Sequence, residues 1–185
     1  MPLSKIQTNS LATGAVGTSQ LATGAITSAI MPTGSVIAAD YARKTDQQTF
    51  TSTSFADVTG LTVTMTPAST SSKFLVTASV YLGTRWWNAG GQYFAVYANS
   101  TLIAGSGSQV WNISLGPDAS NSETETQQYF AQRLYAPSST SAQVFKVQIA
   151  NGSSGYNGYV NRPYGSGTGA GSDGESYLSV LEIAG

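Results

Sequence analysis

The chain has 185 residues, a net charge of −1 and only 9% charged residues, against about a quarter in an ordinary soluble domain. It holds no cysteine and no histidine, which excludes a disulfide framework, Ser-His-Asp or Cys-His nucleophilic catalysis, and zinc sites with the usual ligand sets. Its eight Lys and Arg are spread along the chain, with only Arg43 and Lys44 adjacent, so no basic patch is offered to nucleic acid, and ten Tyr, six Phe and three Trp are too many for a disordered chain.

The first forty residues carry a ten-residue beat. Met1, Leu11, Leu21 and Met31 hold one phase, and Ile6, Val16, Ile26 and Val36 hold the other, five residues later. Residues five apart point to opposite faces of a flat strand. Both can face one axis only if the strand is broken between them. A Thr-Gly step lies there in the last three copies, at Gly14, Gly24 and Gly34, and glycine lets the backbone turn with positive φ. Each decad therefore reads as two short extended pieces joined by a corner. Eight apolar side chains fall far short of the entropy of ordering such a ribbon, and its backbone groups stay half unpaired. Residues 1–40 are expected to be a stalk or docking arm that needs partner chains or another protein's surface. A structureless Gly/Ser/Thr/Ala linker is the alternative, but it has no need of apolar residues held in phase.

The segment 41–46 concentrates Arg43, Lys44 and Asp46 and reads as a hinge. From residue 47 to the end the period becomes two, and a β-sandwich knob is expected. Leu61, Val63 and Met65 alternate with threonines. Phe74, Val76, Ala78 and Val80 alternate with Leu75, Thr77, Ser79 and Tyr81. Phe94 and Val96 interleave with Tyr93, Ala95 and Tyr97, and Ala98-Asn99-Ser100 turns back into 101–104 as a hairpin. Further runs cover 128–135, 142–149 and 177–183. Phe145, Val147 and Ile149 share one face, and Tyr177, Ser179, Leu181 and Ile183 another. Seven or eight short strands without a helical stripe predict an all-β, jelly-roll-like antiparallel sandwich. Long connections at 83–91, 105–127 and 151–174 are where binding surfaces or subunit contacts lie.

No basic n-region followed by an apolar run opens the chain, and no stretch of eighteen apolar residues occurs. Neither secretion nor membrane insertion is expected; delivery by assembly or lysis is.

Chemistry has few candidates. The acid pairs Glu123 with Glu125 and Asp173 with Glu175 are each two residues apart, so both members share a face rather than flanking a glycosidic bond. They read as solvated loop acids. Calcium at 171–175 lacks the spacing of a helix-loop-helix site. The glycines of 165–171 have no following lysine and no strand-to-helix context, so they are no phosphate loop. The Asn-X-Ser/Thr triplets at Asn99, Asn112 and Asn151 carry no meaning without a secretory route. No enzyme activity, cofactor or metal is expected. The recognition candidates are aromatic: Trp86, Trp87, Trp111, Tyr156, Tyr159 and Tyr164, all in the long connections. Their flat faces suit sugar rings, and they suit subunit interfaces better. Arg85, Arg133 and Arg162 can supply interface hydrogen bonds to carboxylates.

The decads at 11–16 and 21–26, Leu-Ala-Thr-Gly-Ala-Val/Ile, followed by a body that closes on the strand 176–183, resemble the short fibre, spike and capsid-decoration (cement) proteins of tailed bacteriophages. The resemblance spans the whole layout and is architectural. It implies a homotrimer with stalks wound about a three-fold axis, on a virion surface, in contact with capsid or tail proteins. The repeat alone says only that partners are needed. Many tail fibres carry an anchoring domain before the stalk; here the repeat begins at Met1, so the stalk itself is expected to anchor. That favours a non-enzymatic cement or head-spike role. A receptor-binding tail-fibre knob that holds host surface polysaccharide is the alternative.

Overall fold

Alternating apolar residues build most of the longer strands, and the structure, a computed structural model, describes ten strands within residues 30–84, 92–104, 125–152, 154, 157–162 and 174–185. They are β1 (Val36–Lys44), β2 (Gln48–Phe50), β3 (Ala56–Met65), β4 (Lys73–Thr84), β5 (Gln92–Ala98), β6 (Thr101–Ala104), β7 (Glu125–Tyr135), β8 (Gln143–Asn151), β9 (Gly158–Val160) and β10 (Ser176–Ile183). No α-helix occurs among the described residues.

All pairings are antiparallel and form two sheets that face each other as a sandwich. In the first sheet β4 is central. β7 pairs along its whole length on one side; on the other, β10 pairs with Lys73 to Ser79 and β9 with Leu82 and Gly83. β1 lies outside β10, and β2 outside β9. The second sheet has the order β3-β8-β5-β6.

The inward faces follow the predicted alternation. Phe74, Val76, Ala78, Val80 and Leu82 of β4 meet Phe145, Val147 and Ile149 of β8, all at most 2% exposed. The ring of Phe145 stands edge-on to Phe74 and Tyr135, with centroids 5.1 and 6.1 Å away. β3 departs from strict alternation. Val58 and Leu61 are both buried although three apart, because the register slips between Asp57 and Thr62, where Gly60 takes φ +86°. A bulge at glycine re-aims the strand without a Cβ penalty. The hairpin at Asn99-Ser100 has Asn99 at φ 54°, as a two-residue connection requires.

Two expectations need correction. The segment 41–46 is not a hinge, and the last residues of the expected stalk are not separate from the knob. β1 runs through both, pairing from Val36 with Ile183 to Lys44 with Ser176. Ala38, Ala42 and Lys44 turn inward and Ala39, Tyr41 and Arg43 outward. The period of two was present but hidden by alanines and charges. Tyr177, Ser179, Leu181 and Ile183 do share one face of β10; it is the outward one, and Leu178 and Val180, at 0% exposure, face the core.

Candidate functional site

The only decad within the described residues is the last, and it does turn at its glycine. Ser35 N donates to Pro32 O at 3.0 Å, and Gly34, at the third position of that turn, has φ +89°. This is the geometry of a type II turn, which requires positive φ at that place. Gly34 N donates to Ala184 O at 2.7 Å and Ala184 N to Ser35 O at 2.9 Å, so the corner is tied to the end of β10. The two apolar residues that flank it, Met31 and Val36, are 36% and 53% exposed, and Ile30 is exposed as well. A Cβ on Gly34 would meet nothing within 4 Å. Gly34→Ala is therefore expected to cost about 1–2 kcal/mol through φ strain alone, read as a lower denaturant midpoint at unchanged slope.

Met1, Ile6, Leu11, Val16, Leu21, Ile26, Gly14 and Gly24 lie outside the described residues, as do Trp86, Trp87, Trp111, Tyr156 and Tyr164. Of the six aromatic candidates only Tyr159 is described. It sits on β9, half-buried, with the Arg162 guanidinium 4.6 Å above its ring centre. One ring face is thus already covered by the chain's own cation. Asn151, the asparagine of one triplet, is 2% exposed and donates its Nδ2 to Phe50 O at 2.9 Å, so it is a structural residue.

Three ion pairs occur among the described residues: Arg43 with Glu175, Lys44 with Asp46 and Lys146 with Asp57. On the outer face of the second sheet, Asp57 accepts from Gln148 Nε2 at 2.6 Å and lies 3.0 Å from Lys146 Nζ. The Gln148 hydrogen bond and then Lys146 hold its carboxyl below the ordinary range. On the first sheet Glu175 accepts from Arg43 and from the Tyr177 hydroxyl, which lowers its pKa and raises that of Tyr177. No group of three or more acidic, His or Cys side chains able to hold a metal occurs among the described residues. No described helix is long and apolar enough to cross a membrane.

Sequence reasoning missed a polar knot beside β1. Lys44 is 2% exposed and its Nζ bonds Asp46 at 2.7 Å. Asn161, fully buried with φ 58°, donates Nδ2 to Lys44 O at 2.8 Å and Asp46 O at 3.0 Å, and accepts from Ser176 Oγ at 2.7 Å. Its signal was slight: an asparagine between a strand-like triplet and a proline, a place where left-handed backbone is common.

Comparison with protein-family models gives no match, and comparison with curated proteins gives none.

Proposed function

We propose that this chain is a non-enzymatic structural protein of a bacteriophage particle. In this reading it is a homotrimeric knob on the virion surface, joined to capsid or tail proteins through residues 1–29, and most simply a capsid cement or head-spike protein. The knob would be a jelly roll. The reading is supported by the facing strand orders β1-β10-β4-β7 and β3-β8-β5-β6, with the chain crossing between sheets at most connections.

The observation that carries the functional reading is the corner at Gly34, with Met31 and Val36 left exposed on either side. It is the conformation that the repeat needs if both apolar phases are to serve a shared axis or a docking surface. The same corner at Gly14 and Gly24 would give an arm that only neighbours can bury. The receptor-binding alternative draws no support from Tyr159, the one described aromatic candidate, since Arg162 stacks on one face of its ring.

Deletion of residues 1–29 tests the reading, since β1 and the whole sandwich remain. The truncated protein is expected to fold but to be missing from purified particles. Incorporation at the normal level would remove the basis for an anchoring arm. Quantitative mass spectrometry of particles then separates the roles: hundreds of copies indicate the shell, and a few to a few tens indicate the tail.

A further inference from the structure

An antiparallel sandwich normally shows water a polar outer face on each sheet. The second sheet is mixed: Thr59, Thr62, Thr64, Asp57, Lys146 and Gln148 point outward beside the half-buried Tyr93, Tyr97, Leu102 and Val144, and none of its described large apolar residues is among the exposed ones. The first sheet departs further. Seven large apolar residues are exposed among the described residues. Five of them, Val36, Tyr41, Phe130, Leu134 and Tyr177, lie on its outer face, and the other two, Ile30 and Met31, lead into it. Register aligns them into continuous rows. Ala39, Leu181, Leu75 and Leu134 form one row across four strands, and Arg43, Tyr177, Ser79 and Phe130 another.

Several polar side chains of this face are already paired with one another. Gln132 Nε2 donates to Thr77 Oγ1 at 3.1 Å and Gln128 Nε2 to Ser79 Oγ at 2.8 Å across the β4–β7 pair. The Tyr177 hydroxyl donates to Glu175, which is also paired with Arg43. Groups so paired lose little when water is removed. Net charge is nearly absent, so nothing here selects a strongly charged partner.

We infer that the outer face of the β1-β10-β4-β7 sheet is a self-association surface, occupied by a second copy of this chain. The identity of the occupant rests on the self-assembly reading of the N-terminal repeat. Chain outside the described region, residues 1–29, enters at the corner of this face, where the Gly34 turn is tied to Ala184 beside Val36 and Ile183. Winding those segments about a shared axis brings this corner of each copy to the axis, and the apolar face with it. Four strands about 4.8 Å apart and four or five rows about 7 Å apart give on the order of 500 Å². That is short of the roughly 800 Å² per partner of a stable interface, so this face accounts for most but not all of a stable contact.

The absence of native cysteine makes the test clean. Leu134→Cys and Thr62→Cys are made singly in the full chain, and maleimide labelling is timed on protein whose mass has been measured by sedimentation. The expected result is a multimer in which the cysteine at 134 labels at least about tenfold more slowly than that at 62. The double variant Phe130→Lys with Leu134→Lys is expected to weaken association by about a hundredfold or more while the circular dichroism of the fold persists. A multimer in which both cysteines label alike overturns the face but leaves assembly through the arm intact. A full-length monomer overturns the self-assembly reading itself. A monomer protected at 134 shows that the chain covers its own face, which also overturns the inference.

Discussion

Replacing Asn161 by alanine is expected to destabilise the knob by about 3–5 kcal/mol, more than any other single polar substitution among the described residues. Four hydrogen bonds meet at this residue. Its backbone N donates to Tyr81 O at 2.8 Å, and its side chain binds Lys44 O, Asp46 O and Ser176 Oγ. These partners belong to β4, β10, β1 and the turn after β1, so one amide fastens the strand that leads from the N-terminal arm. Removing it strands the buried Lys44 carbonyl, the part-buried Asp46 carbonyl and the Ser176 hydroxyl proton, at up to about 1–3 kcal/mol each where water does not replace the partner. The left-handed backbone at φ 58° adds about 1 kcal/mol when asparagine becomes alanine. Denaturant titration separates the two causes. Asn161→Gly keeps the backbone conformation and loses the side chain, so it should recover only about 1 kcal/mol of the loss. If glycine restores most of the stability, the hydrogen bonds are not what holds β1.

Which features were legible in the sequence follows from where their cause lies. Strands with one apolar face and one polar face, such as β3 and β4, could be read directly, because alternation and burial have the same origin. β1 could not. Its inward positions are Ala38, Ala42 and Lys44, two small residues and a charge, so a genuine period of two carried no hydrophobic signal. β2 and β9 have three residues each, too few for any period. In β10 the shared face was legible but its direction was not. Leu178 and Val180 on one side and Tyr177, Leu181 and Ile183 on the other make both faces apolar, and parity alone cannot say which faces the core. That ambiguity was itself information. A strand apolar on both sides, in a sheet with only one partner sheet, has a surface left to bury. Of the candidate site, the corner at Gly34 was read from a single Thr-Gly step, since positive φ is a local requirement. The polar knot at Asn161 was not, because its partners lie 15 to 117 residues away in the chain.

Phe145→Ala should cost about as much as the loss of Asn161, 3–5 kcal/mol, by a different route. Phe145 on β8 is the ring that joins the two sheets. It is fully buried between Phe74 of β4 and Tyr135 of β7, which are themselves cross-strand partners. Truncation opens a cavity that two sheets cannot close without breaking their register, so the transfer loss and the cavity term add. The edge-on contacts to both rings, about 0.5–1.5 kcal/mol for each pair, are lost as well. Phe145→Leu refills most of the volume without the ring contacts and should cost about half as much. Calorimetric unfolding of the three proteins checks the order. Because Leu134, on the other face of β7 next to Tyr135, is a candidate self-association residue, the same series carries a second readout. A loosened β7 should weaken association in Phe145→Ala while Phe145→Leu keeps it. Equal association in both variants would mean that the outer face keeps its shape without the ring that backs it, and that core packing and assembly are energetically separate in this knob.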